Sequence, residues 1–307
     1  MVHYVMRRLA GAVVTLFVIV TIAFFLIRVA PGGPFDRERP LEAKVRANLE
    51  AAYHLDEPVW RQYAYYLEGL LKGDLGPSFI YRDFTVGELF MQGLPVSVEL
   101  GGSALLLAFL VGTGLGTFAA LRQNRPGDYS VMTLAAFGIT VPNFVVAPLL
   151  TLLFALWLGW LPAGGWGGGA LANKILPIVS LALPQVAIIA RLTRGSMIEA
   201  MRSHHIRTAR ANGLPARVIV FVHAFRGAVL PVVSYMGPAA AALLTGSVVI
   251  ETIFGIPGIG RYFVQGALNR DYTLVMGTVV VIAVFVIVFN LLVDLIYAAL
   301  DPRVRYG

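Results

Sequence analysis

Nucleophiles, metal ligands and proton carriers are scarce in this chain and widely scattered. There is no cysteine, so there is no thiolate site, disulfide or thiol nucleophile. Lysine occurs only at Lys44, Lys72 and Lys174, none of them in a G-x-x-x-x-G-K-[ST] phosphate loop, so ATP binding by that route is excluded. The run Gly255-Ile-Pro-Gly-Ile-Gly260 lacks the order and the βαβ setting of a dinucleotide fingerprint and reads as a turn at a helix end. The histidines are His3, His54, His204, His205 and His223, and the adjacent pair would point to different helix faces, which disfavours a metal site. Neither a G-x-S-x-G elbow nor H-E-x-x-H occurs. The expectation is no catalytic residue, no metal and no cofactor.

One stretch stands apart. Glu199 to Pro231 carries Arg202, Arg207, Arg210, Arg217 and Arg226 against the single acid Glu199. Ser203 is suited to cap a short helix over His204–Asn212. Gly213 suits the left-handed residue past its end, and Pro215 stops continuation and suits the start of the next helix. Thr208, Ala209 and Ala211 are small, so a partner surface can come close. Basic content alone is what any cytoplasmic loop shows. The length of the segment and its capped short helix favour a docking element.

The rest of the chain must hold that element, and it reads as membrane. Of 307 residues 58% are hydrophobic and 13% charged, against about 25% charged in soluble domains. The uncharged run Leu9–Ile27 after Arg7 and Arg8 is long enough to cross, and its exit is a poor cleavage site, so an uncleaved first helix is expected. Further spans are read at Leu100–Leu121, within Val131–Leu158, from Ile175 to about Thr193, at Gly227–Ile250 and from Tyr272 to about Leu300. Gly112, Gly114 and Gly116 permit close helix packing in the second. Between the first two spans, apolar residues recur at helical spacing from Leu41 to Tyr53 and again from Val59 to Leu71, the latter after Asp56-Glu57-Pro58. Two such helices are too small for an independent domain and are expected to pack on the ends of the spans.

Charge sets the orientation. Residues 30–95 carry a net −3 and the remainder +10, so the overall +7 reflects membrane sidedness rather than affinity for nucleic acid. In the short loops, thirteen arginines fall on one side: Arg7, Arg8, Arg122, Arg125, the seven from Arg191 to Arg226, Arg303 and Arg305. Four bases, Arg28, Lys174, Arg261 and Arg270, fall on the other. Both termini and the hairpin are expected in the cytoplasm. The domain reading is a tail and first helix over 1–30, an external helical loop over 31–94 and a membrane core over 95–307, with the hairpin at 194–227.

Ionisable or amide groups inside spans are functional candidates by default. Asn143, Glu251, Asn290 and Asp294 are the candidates for a translocation path or gate. For Glu251, as for Glu99, a charge at the end of a span is the simpler reading. Asp294 could pair with Arg303 or a loop arginine. No chain of acids suggests a proton relay.

Particular residues carry a family resemblance. Arg207-Thr-Ala-Arg-Ala-Asn-Gly213-Leu, with His223-Ala-Phe-Arg226 and Leu230-Pro231, resembles the cytoplasmic EAA loop of binding-protein-dependent ABC importer permeases. Arg207 stands where the general pattern has glutamate, and the Leu-Pro lies further downstream, as in the peptide branch. Arg28-Val-Ala-Pro-Gly-Gly-Pro34, Gly73-Asp-Leu-Gly-Pro-Ser78, Pro142-Asn-Phe-Val, Arg191-Leu-Thr-Arg-Gly-Ser-Met197, Gly246 to Gly260, Asn269-Arg-Asp-Tyr272 and Asp301-Pro-Arg-Val-Arg-Tyr306 extend the resemblance over the whole chain. It is nearest the B-type permease subunits of bacterial oligopeptide and dipeptide importers.

The resemblance implies an all-α type I ABC importer permease of the inner membrane with six transmembrane helices and a helical periplasmic insertion. It also implies a second homologous permease, two ABC ATPase subunits and a periplasmic peptide-binding protein as partners. Ser203, His204, Ile206, Arg207, Thr208, Ala209, Arg210, Ala211, Gly213 and Leu214 would couple to an ATPase. A nickel or dipeptide permease and a secondary transporter are the alternatives.

Overall fold

The computed structural model describes residues 2–29, 33, 43–81 and 83–300, with the side chains of residues 2–5, 43, 45, 46, 49, 52 and 294–300 outside that description. The described residues are almost wholly helical, and their one β-bridge joins Pro77 and Thr85. The helices are α1 (Val2–Val29), α2 (Ala43–Ala52), α3 (Val59–Leu71), α4 (Val86–Leu121), α5 (Pro126–Thr140), α6 (Asn143–Leu150) and α7 (Leu171–Arg202). They continue with α8 (His204–Ala211), α9 (Ala216–Val218), α10 (Phe225–Ala228), α11 (Leu230–Phe254), α12 (Ile259–Leu268) and α13 (Tyr272–Leu300). Two wide π-helical turns interrupt them, Thr151–Trp157 after α6 and Ile219–Ala224 between α9 and α10.

Helix is the only open structure that hides every backbone amide in hydrocarbon, so an apolar chain of this length must adopt it. Five of the described helices are long and apolar enough to cross a membrane, and six spans result if the bent pair Pro126–Thr140 and Asn143–Trp157 is one. The expected third span falls in that pair, whose two helices are bent by 106° at the break. Pro142 supplies no amide hydrogen and restricts Val141 to an extended backbone, ψ 118°, so the helix ends at Thr140 and restarts at Asn143. Two helices run well past the expected spans. The second begins at Val86 rather than Leu100, and the fourth runs from Leu171 to Arg202.

The chain forms two compact units, residues 1–96 with 257–284, and residues 97–256 with 285–307. In the first, α3 lies on the C-terminal half of α1, its face without charge turned inward. Phe24 and Phe25 meet the Tyr63 ring, and the Tyr63 hydroxyl is 2.5 Å from Thr21 Oγ1. Arg28 Nε donates to Gln62 Oε1 at 3.0 Å while its guanidinium covers the Phe24 ring. Pro58 stands immediately before α3, as its sequence position suggests.

The same unit is tied together by the wholly buried Asp271. Its Oδ2 accepts from Ser78 Oγ at 2.6 Å and from the amides of Phe79 and Ile80 at 2.9 and 3.2 Å. Its Oδ1 accepts from Thr273 Oγ1 and from the Leu274 amide, which caps α13. Arg270, with φ +59°, closes α12 just before it.

In the second unit α4 and α7 touch almost backbone to backbone. A β-carbon added at Gly116 would fall 2.5 Å from the Ala190 carbonyl oxygen and 2.6 Å from Thr193 Cβ, and one at Gly112 would fall 2.7 Å from Ile189. Gly114 meets nothing within 4 Å, so only two of the three expected packing glycines act as such. On α5, Gly138 gives α7 a similar close approach at Ala187.

Two outcomes follow. Gly116→Ala lowers stability by about 1–3 kcal/mol through overpacking, read as a fall in the melting temperature of the detergent-solubilised protein, whereas Gly114→Ala leaves it unchanged. Asp271→Ala strands several buried donors and costs about 1–3 kcal/mol for each left unpaired, with increased protease cleavage around residues 73–85 as its second readout.

Candidate functional site

The basic stretch folds as a helical hairpin. α7 ends at Arg202, Ser203 turns extended (φ −68°, ψ 159°), and α8 starts at His204. Ser203 occupies the N-cap position, but its hydroxyl does not cap. It donates back to the Ala200 carbonyl at 2.6 Å and lies 3.0 Å from His205 Nδ1. The reason is local: the Ala200 carbonyl at the end of α7, which also accepts from the Ser203 amide at 3.1 Å, competes for the hydroxyl and wins. The far end matches the expected form. Gly213 has φ +75°, its amide donates to the Arg210 carbonyl, and the Leu214 amide donates to the Ala209 carbonyl, the paired closure of a Schellman turn. Pro215 stands just before α9.

Inside the hairpin is a small apolar core. Met197, Ile206, Ala209, Ile219, Val220, Ala224 and Ala228 are buried in it, with Ala120 from the end of α4 and Ala200 and Met201 packed against it. Ile206 has no exposed surface and Ala209 is 7% exposed. Ala209 is thus a wall of the core, not a small residue on the free face as its size suggested. The exposed face is formed by His204, His205, Arg207, Thr208, Arg210 and Ala211, continued by Gly213 and Leu214. No acidic residue occurs between Ala200 and Ile250, so this face carries positive charge alone. Arg210, in the last turn of α8, also complements the helix dipole.

The base of the hairpin is fastened to the α4–α5 corner by contacts that no local sequence pattern announces. Arg194 Nε and Nη2 donate to the two carboxylate oxygens of the buried Asp128 at 2.5 and 2.6 Å, and the Asn124 amide donates to Asp128 Oδ2 at 2.9 Å. Arg202 Nη2 donates to Gln123 Oε1 at 3.1 Å. Asp128 stands in the first turn of α5, and Arg194 lies two turns before the end of α7. Their separation of 66 residues puts the pairing beyond any spacing rule.

The path candidates occupy separate places along α11. Glu251 is fully buried and accepts from the buried Ser97 hydroxyl at 2.7 Å. It lies three residues before the end of α11, as the simpler sequence reading has it, but buried, with the Ser97 hydroxyl as a donor. Glu99 fits that reading better, since its carboxylate pairs with Lys174. Asn143 begins α6 directly after the bend and places its amide nitrogen against Gly246. Asn290 of α13 lies against Gly237. The Asp294 side chain, like Arg303 and Arg305, lies outside the described residues. Among the described residues, Glu251, Asn143 and Asn290 each meet different partners, Ser97, Gly246 and Gly237. Tyr235 and Gln185, which sequence reasoning passed over, form a further α11–α7 hydrogen bond at 2.8 Å.

Comparison with known proteins places this geometry. Residues 112–306 match the model of the binding-protein-dependent transport system inner membrane component, and residues 1–97 match the N-terminal model of such membrane components. The oligopeptide transport system permease protein OppB of Salmonella typhimurium is 54% identical over all of both chains. The dipeptide transport system permease protein DppB of Bacillus subtilis is 45% identical over 99% of this chain and 98% of its own. Among solved structures, the inward-facing MetNI methionine ABC transporter has a TM-score of 0.59 at 18% identity, covering 69% of this chain and 96% of that one. An amino acid ABC transporter with histidines has a TM-score of 0.52 at 18% identity, covering 71% and 95%. These two share the fold, that of type I ABC importer permeases. The chain belongs to the family of binding-protein-dependent transport system inner membrane components.

Proposed function

We propose that this chain is the B-type permease subunit of an oligopeptide importer, moving peptide inward by alternating access while separate ATPase subunits dock on α8. The observation that carries this reading is full-length 54% identity to an oligopeptide permease, combined with a basic α8 face held outward by its own apolar core. The chain has no phosphate loop, and its role is conduction rather than hydrolysis. Its partners are a second homologous permease, two ABC ATPases and a periplasmic peptide-binding protein. Within α8 the roles divide by burial: Ile206 and Ala209 position the helix, and His204, His205, Arg207, Thr208, Arg210 and Ala211 meet the ATPase. Residues 31–94 lie in the periplasm, and both termini and residues 194–227 in the cytoplasm, as the arginine asymmetry supports. Asn143, Glu251, Asn290 and Asp294 are assigned to the translocation path or its gate.

Reconstitution with its ATPases and peptide-loaded binding protein yields peptide-stimulated ATP hydrolysis and uptake. Absence of both would refute the importer reading. The 45% identity to a dipeptide permease supports a second substrate reading, separable by competing labelled pentapeptide uptake with dipeptide.

Orientation has a direct readout, because the natural chain has no cysteine to confound labelling. A cysteine at Thr208 reacts with a membrane-impermeant maleimide only after the cytoplasmic side is opened, and one at Glu68 reacts in intact spheroplasts. Gly213→Val forces a β-branched residue into the left-handed conformation at about 1–2 kcal/mol. The expected result is reduced ATPase co-purification with membrane insertion intact, and normal co-purification would remove α8 from the interface.

A further inference from the structure

Docking on α8 is useful only if its displacement reaches the membrane spans, and the structure offers a route. Below Pro184, α7 runs without another proline from Gln185 to Arg202, a rod of about 27 Å. Its lower end contributes Met197 to the hairpin core, so the rod and the hairpin move as one packed body. Three independent ties join that body to the α4–α5 corner. Ala120 packs into the core, Arg202 holds Gln123, and Arg194 grips Asp128 with both carboxylate oxygens engaged.

Asp128 differs from an ordinary surface ion pair. It is 1% exposed, lies in the first turn of α5 and also holds the Asn124 amide, so the corner cannot rotate without breaking charged hydrogen bonds. At the other end of α5 the backbone breaks at Val141-Pro142, and α6 leaves at 106° with Asn143 as its first residue, against Gly246 of α11. A rigid arm anchored at Asp128 and hinged at Pro142 converts motion at its base into rotation of α6.

We propose that the Asp128–Arg194 pair is the strut through which displacement of the coupling hairpin is delivered to α5 and the bent span. Both are positioning residues, touching neither nucleotide nor peptide. Of the other titratable groups, Tyr129, next to Asp128 in α5, acts electrostatically on Arg194. The bidentate geometry matters as much as the charge, since a single point contact would allow the corner to pivot. The inference rests on the importer reading above and specifies how the docking helix communicates.

The test uses the complete reconstituted complex with trialanine-loaded binding protein. Arg194→Lys keeps the charge and removes the fork, and Asp128→Asn keeps the shape and removes the charge. The expected result is assembly and basal ATP hydrolysis close to wild type, with peptide taken up per ATP hydrolysed falling on the order of tenfold. Asp128→Glu, able to re-form the two-pronged contact, recovers most of that ratio. A parallel loss of hydrolysis and uptake overturns the proposal, and so does an unchanged ratio. Failure of every variant to assemble would assign the pair to folding and overturn it equally. Absence of peptide-stimulated hydrolysis in the wild-type complex would instead refute the importer reading itself.

Discussion

A helix of eight residues cannot persist on its own hydrogen bonds, because nucleation is unfavourable and isolated helices shorter than roughly 12–15 residues are marginal in water. α8 exists because Ile206 and Ala209 are buried with Met197, Ile219, Val220, Ala224 and Ala228. That burial sets which residues of α8 are free to meet another protein. A helix with five nearby arginines and the single acid Glu199 repels its own surroundings, so the apolar core must outweigh that repulsion for the face to be presented at all. The π-helical turn at Ile219–Ala224 serves the same end. A wider turn shifts the inward positions to Ile219, Val220, Ala224 and Ala228, and leaves Phe221, Val222 and His223 outside.

The membrane part is built on a second constraint, close approach without side chains. Gly112 and Gly116 let α4 lie on α7, and Gly138 gives α5 the same access. In hydrocarbon there is no solvent to drive helices together, so tight van der Waals contact and a few polar ties must suffice. The Ser97–Glu251, Tyr235–Gln185 and Asp128–Arg194 pairs are those ties, each joining helices distant in the chain. Close contacts and polar ties are therefore concentrated around α7.

What the sequence made legible was governed by local chemistry. Six apolar spans, a helix after Pro58, a short helix closed by Gly213 and a basic face all follow from composition, period and cap preference within a few residues. Ser203 shows the limit of such rules, since the right residue at the right position bonds backward to Ala200. Ala209 shows another: smallness reads equally as accessibility or as tight packing, and only the fold decides. The helix break at Pro142 is within reach of backbone chemistry, but membrane helices also tolerate proline, so the residue alone does not announce a break. Asp128–Arg194, Ser97–Glu251 and Ser78–Asp271 were beyond reach, because tertiary pairing leaves no trace in spacing.

The Asp271 clasp also bears on how the chain is made. Ser78 and Asp271 are separated by 193 residues. At translation speeds of about 5–20 residues per second, roughly ten to forty seconds pass between their emergence. Throughout that interval the segment around Ser78 lacks the carboxylate that organises it. The segment around Ser78, though made early, therefore gains this tie only after the last membrane helix begins to emerge. Truncated or stalled chains would carry an unfastened loop around Ser78, a feature a quality-control protease can recognise without inspecting the membrane-embedded helices.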